Sequence, residues 1–177
     1  STVTGALSAT ATTGDITDSG NLTITGAATF ITGVDESNIV LDSSGNAFSS
    51  SVEMRADAGG EDFGNITFVD SAGIDFATSA GSNGDLYINS STDGTVGGNL
   101  SVTATTGNIT DTVAVVTTGS STSSFTTSAT NGTITLNTPA SLAGAVTLST
   151  TGASGNATID NGTTALNIAA SSIGGNL

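Results

Sequence analysis

A three-residue word, apolar–any–apolar, recurs along almost the whole chain. It reads Leu22-Thr23-Ile24, Ile39-Val40-Leu41, Val52-Glu53-Met54, Ile66-Thr67-Phe68, Leu86-Tyr87-Ile88 and Leu100-Ser101-Val102. It continues as Val113-Ala114-Val115, Ile134-Thr135-Leu136, Val146-Thr147-Leu148 and Leu166-Asn167-Ile168. Alternation with period two puts the outer side chains of each word on one face of a strand and the middle one on the other. Each word therefore predicts a short strand with one apolar face. Glycine followed by Asn or Asp and then Leu or Ile punctuates the words, as at Gly14-Asp15-Ile16, Gly20-Asn21-Leu22, Gly64-Asn65-Ile66, Gly98-Asn99-Leu100 and Gly107-Asn108-Ile109. Glycine accepts positive φ, and the Asx side chain bonds turn backbone. Stacked in register, such Asn residues predict an amide ladder.

A longer repeat lies over the short one. Leu7 to Asp18 reads LSATATTGDITD and Leu100 to Asp111 reads LSVTATTGNITD, with ten of twelve positions identical at an offset of 93. Gly97-Gly98-Asn99-Leu100 is echoed by Gly174-Gly175-Asn176-Leu177, which divides the chain into units 7–99 and 100–176. The first unit is longer by what reads as an inserted loop, Arg55 to Gly64.

Many short strands with turns between them, and no 3.6-residue stripe, exclude helical solenoids. A β-sandwich needs longer strands and more aromatic core. The prediction is all-β: one continuous parallel β-solenoid over residues 1–177, whose coils bury their apolar faces against one another. Coils of roughly 20 to 26 residues give about seven to nine of them. Phe30, Phe48, Phe63, Phe68, Phe76 and Phe125 are expected to fill corners or stack along the axis.

Composition changes this picture mainly by exclusion. Low complexity and 4% aromatic content raise disorder as an alternative, but 9% charged residues, a single proline (Pro139) and regular apolar words argue for a packed stack. Fifteen acidic residues face one base, Arg55, for a net charge of −14, which makes nucleic acid and anionic membranes poor partners. The chain holds no cysteine, hence no disulfide or thiolate metal site, and no apolar run long enough to insert in a bilayer. It begins at Ser1 without a signal-peptide pattern, which reads as a mature fragment or a piece of something longer. A Ser/Thr-rich, lysine-free, acidic chain fits a secreted or cell-surface setting.

The stretches GDITDSGNLTITGAATF and GGNLSVTATTGNITD resemble the β-solenoid shafts of bacterial filamentous-haemagglutinin-like exoproteins and related large surface adhesins. The resemblance implies a right-handed parallel β-helix, secretion, and a role as stalk or adhesive fibre.

Candidate chemistry is sparse. Without His, Cys, Lys or Trp, nucleophilic triads and histidine acid–base work are unavailable, and only a carboxylate pair such as Asp70 and Asp75 suggests a glycosidase. The expectation is no enzyme. Thirteen of the fifteen acidic residues precede residue 94, and the loop carrying Asp57, Glu61 and Asp62 gathers three carboxylates on a glycine turn. Calcium takes six to eight oxygen ligands, which these carboxylates and the turn carbonyls can supply; a solvated acidic loop with Arg55 pairing locally is the plainer reading. Asp35-Glu36 is a second, weaker candidate. Outward Thr23, Thr67, Thr135 and Thr147 raise ice binding, but Glu53 and Tyr87 interrupt a regular plane. Eight Asn-x-Ser/Thr sequons, at Asn21, Asn65, Asn89, Asn99, Asn108, Asn131, Asn156 and Asn161, follow from turn Asn, inward apolar and outward Thr or Ser.

Neither end carries an atypical polar cap. Val3 and Leu7 at one end, and Leu166, Ile168, Ile173 and Leu177 at the other, are the candidate stacking residues. The functional expectation is a structural protein of the cell exterior, a subunit or segment that self-associates end to end into a filament. The alternative is a calcium-dependent adhesin segment of a large exoprotein whose glycan or protein receptor the sequence does not name.

Overall fold

The computed structural model describes residues 1–34, 36–56, 64–77, 85–88 and 95–177. The first coil runs through β1 (Thr2–Val3), β2 (Leu7–Ala11) and β3 (Ile16–Thr17). The second holds β4 (Thr23–Ile24), β5 (Ala28–Thr32) and β6 (Ile39–Leu41); the third holds β7 (Ala47–Phe48), β8 (Val52–Ala56) and β9 (Ile66–Asp70). Next come β10 (Ile74–Phe76), β11 (Asp85–Ile88) and β12 (Thr95–Val96). Then follow β13 (Leu100–Ala104), β14 (Ile109–Asp111) and β15 (Val116–Thr117), and β16 (Ser123–Thr130), β17 (Ile134–Leu136) and β18 (Ser141–Leu142). The chain closes with β19 (Ala145–Thr151), β20 (Ala157–Ile159) and β21 (Asn167–Ile168). No helix occurs among the described residues.

All strand pairs are parallel, and they form two long sheets. One has eight strands in the order β2-β5-β8-β11-β10-β14-β17-β20; the other has seven, β3-β6-β9-β13-β16-β19-β21. Two three-stranded sheets, β1-β4-β7 and β12-β15-β18, complete the wall. This is the predicted β-solenoid, but of about six turns rather than seven to nine. The successive partners Ile16, Ile39, Ile66, Leu100, Ser123, Val146 and Ile168 in the seven-stranded sheet are seven rungs separated by six turns. Coils are fewer because the chain between β9 and β13 contributes both β10 and β11 to the eight-stranded sheet before it returns. There β11 lies between β8 and β10, so the axial order departs from the chain order.

The third side of the coil changes place at the same point. In the first three coils the short strand follows the seven-stranded sheet and precedes the eight-stranded one; from β12 onward it follows the eight-stranded sheet. The long repeat is divided accordingly. Its first copy crosses from the eight-stranded sheet (β2) to the seven-stranded (β3), and its second crosses from the seven-stranded (β13) to the eight-stranded (β14).

Nine of the ten words supply a strand. Val113-Ala114-Val115 does not: the Thr112 and Val113 N–H groups both donate to the Phe76 carbonyl, at 2.8 and 3.2 Å, so the chain turns there and pairing resumes at Val116. The core is the stack of inner positions, with Ile24, Ile39, Met54, Ile109, Phe125 and Leu148 fully buried. Of the aromatics, Phe30, Phe48 and Phe68 form one interior chain with ring centroids 6.2 and 5.2 Å apart, and Phe76 meets Phe125 edge-on at 5.9 Å. Phe63 lies outside the described residues.

Candidate functional site

Neighbouring coils are tied at their corners by Asx side chains. The Asn38 N–H donates to Asp15 Oδ1 at 2.7 Å, the Asn65 N–H to Asn38 Oδ1 at 2.8 Å, the Asn99 N–H to Asn65 Oδ1 at 2.8 Å, and the Thr122 N–H to Asn99 Oδ1 at 2.8 Å. A second series runs along the opposite corner, from the Thr133 N–H to Asn108 Oδ1 and from the Asn176 N–H to Asn156 Oδ1. In both series the donor belongs to the coil nearer the C-terminus and the acceptor to the coil nearer the N-terminus. The predicted amide ladder exists, and it has a direction.

Other corner amides work inside the wall. Asn46 is fully buried; its Oδ1 accepts from the Leu22 N–H at 2.8 Å and its Nδ2 donates to Asp18 at 2.6 Å. Asn161, also buried, embraces the Leu142 backbone, accepting its N–H at 2.8 Å and donating to its carbonyl at 3.2 Å. That sequon amide is enclosed, whereas Asn21, Asn65, Asn99, Asn108, Asn131 and Asn156 stand exposed.

The candidate stacking residues divide between the two ends. Val3 on β1 and Leu7 on β2 are only partly covered, whereas their partners one coil further in, Ile24 and Ala28, are 0% and 1% exposed. The same holds for Ala9 and Ile16 against Phe30 and Ile39. At the other end Ile168 and Ile173 are partly buried, and Leu166 and Leu177 are 41% and 70% exposed.

The carboxylates serve the coil contacts. Asp70 ends β9 almost fully buried, accepting from the Phe48 N–H at 3.3 Å and the Ala72 N–H at 3.4 Å. Burial pushes its carboxyl above the usual carboxylate range, against those backbone donors. Asp111 accepts from the Asn137 and Thr138 N–H groups at 2.9 and 3.2 Å. Its carboxyl is also raised, by burial first and by the charge of Asp75 in addition, while the backbone donors oppose the shift. Asp75, on the other long sheet from Asp70, accepts from Thr110 Oγ1 at 2.8 Å. Asp57, Glu61 and Asp62, and Asp35, lie outside the described residues. Among the described residues no three acidic side chains gather to hold a metal ion.

The fold and these ties define a β-solenoid repeat protein. Residues 1–55 match the family of repeats of unknown function DUF5649. No curated protein and no solved structure matches the chain.

Proposed function

We propose that the chain is a non-enzymatic structural protein of the cell exterior, a section of a fibre or stalk extended by stacking rung on rung. The observation that carries this reading is the continuous parallel stack itself, in which inner positions such as Ile24, Ile39 and Leu100 are sealed by the neighbouring coils. A parallel stack left open at an edge offers unpaired backbone and apolar side chains to another strand. The resemblance to filamentous-haemagglutinin-like shafts points the same way, towards secretion and the bacterial surface. The weight of acidic residues in the first 93 positions favours a second reading, a calcium-dependent adhesin segment using Asp57, Glu61 and Asp62.

Negative-stain electron microscopy of the 177-residue chain, with and without EDTA, tests both. Uniform fibres in both conditions are the expected result. Short rods that never lengthen overturn the stacking reading, and fibres lost only in EDTA shift the weight to calcium.

A further inference from the structure

The two long sheets differ in what they turn outward. On the seven-stranded sheet Thr67, Ser101, Ser124 and Thr147 are cross-strand neighbours on β9, β13, β16 and β19. Thr103, Thr126 and Ser149 form a second column beside them on the last three of these strands. The residues between them, Phe68, Val102, Phe125 and Leu148, are buried, so alternation turns all seven hydroxyl side chains outward. Each is partly exposed. No acidic or basic residue takes an outward position on these four strands, although the chain carries a net charge of −14. The outer face of the eight-stranded sheet, by contrast, is broken by Glu53, Tyr87 and Asp75.

The hydroxyls on this face are also unspent. Among the described residues none of the seven bonds to another group of the chain. Elsewhere in the wall Thr110 Oγ1 donates to Asp75 at 2.8 Å, and Ser121 Oγ and Thr127 Oγ1 donate to the Gly97 and Gly107 carbonyls, each at 2.7 Å. Neighbouring strands lie about 4.7–4.9 Å apart, and alternate residues along one strand about 6.6 Å, so the seven hydroxyls make a two-dimensional grid of fixed period. The register from Thr67 through Ser101 and Ser124 to Thr147 is unbroken, and the four Thr side chains of the grid are stiff at χ1. The grid is therefore formed before anything binds to it.

We propose that this face binds the surface lattice of ice. Its occupant has to be uncharged, offer a donor or an acceptor at every grid point, and repeat with the strands. A protein partner would have to match seven hydroxyls at that period or leave them buried without partners, which is costly. A glycan packs its apolar ring faces on aromatic side chains. None stands outward on these four strands, and the chain's one Tyr, Tyr87, lies on the other sheet. Lattice water meets all three conditions. Each molecule both donates and accepts, the lattice is neutral, and its oxygen rows repeat at a spacing close to the strand separation. A preformed grid binds such a lattice without first ordering its own side chains.

Ice-affinity partitioning of the 177-residue chain, with an inert protein of similar size in the same solution, is the test. Thr126→Tyr places a bulky ring in the middle of the face, and Ser124→Tyr does so on the other column. Thr135→Tyr, outward on the eight-stranded sheet, is the control, and circular dichroism checks that each variant keeps its strands. The wild type and Thr135→Tyr are expected to enter the growing ice and to shape its crystals, and Thr126→Tyr and Ser124→Tyr to lose both effects. A wild type rejected from ice like the inert protein overturns the proposal, whether or not the chain forms fibres. Undiminished partitioning of both face variants, or equal loss in Thr135→Tyr, overturns the assignment to this face. Binding to microcrystalline cellulose or chitin with none to ice overturns the choice of occupant.

Discussion

At the residue scale the wall is built from side chains whose jobs differ within one sequence pattern. Ser123 takes the inner column position held by Leu100 below and Val146 above, and its buried hydroxyl has no hydrogen-bond partner. An unsatisfied buried hydroxyl costs about 1–3 kcal/mol, so Ser123→Ala is expected to stabilise by roughly 1 kcal/mol in denaturant titration. Gly14 and Gly107 occupy the same place in the two copies of the long repeat, with φ of +77° and +87°. Alanine at either pays the left-handed cost of about 1–2 kcal/mol. At Gly107 a Cβ also meets Gly73 at 3.0 Å, whereas at Gly14 nothing lies within 4 Å. Gly107→Ala is therefore expected to destabilise more than Gly14→Ala in the same measurement. The turn glycines were legible in sequence; which of two identical ones has a coil against it was not.

At the element scale the apolar words located nine strands, but strands whose inner positions are small or polar escaped them. In β5 the inner residues are Ala28, Phe30 and Thr32, and in β16 they begin Ser123, Phe125 and Thr127. Thr32 and Thr127 are admitted to the core because their hydroxyls donate to the Ser37 and Gly107 carbonyls. No hydrophobic pattern announces such a position; the satisfied hydroxyl exists only once the neighbouring turn is in place. The Asx ladder was legible as a motif. Its contribution is testable: Asn65→Ala removes the acceptor of the Asn99 N–H and the donor to Asn38 Oδ1. A loss of about 1–2 kcal/mol is expected on unfolding, larger than for Asn108→Ala, whose Oδ1 accepts from the Thr133 N–H. Sorting outward residues by sheet also changes the picture of the faces. Glu53 and Tyr87 both belong to the eight-stranded sheet, while Thr67, Ser101, Ser124 and Thr147 line up without interruption on the seven-stranded one.

At the scale of the whole molecule, charge and burial combine into a pH dependence. Asp70 and Asp111 hold their protons more tightly folded than unfolded. Their contribution to stability is complete below the ordinary carboxylate value of about 4 and is lost as pH rises through their raised values. Lowering the pH from 7 towards the ordinary carboxylate value of about 4 is expected to raise the denaturation midpoint, and relief of the net charge of −14 adds in the same direction. The double variant Asp70→Asn/Asp111→Asn keeps the Oδ1 acceptors and should flatten that rise; an unchanged slope would assign it to net charge alone. The sequence by itself determined the architecture, because period-two words and Gly-Asx turns leave a short-stranded chain little to do but wind and bury each rung on the next. It also placed the long repeat. Only the tertiary structure decided which sheet each word joins. Two nearly identical words, Leu7–Asp18 and Leu100–Asp111, lie on the sheets in opposite order because the third side of the coil changes place between β9 and β13. In the same stretch β11 pairs between β8 and β10. Pairing between residues distant in sequence is a property of the assembled stack, and no local pattern encodes it.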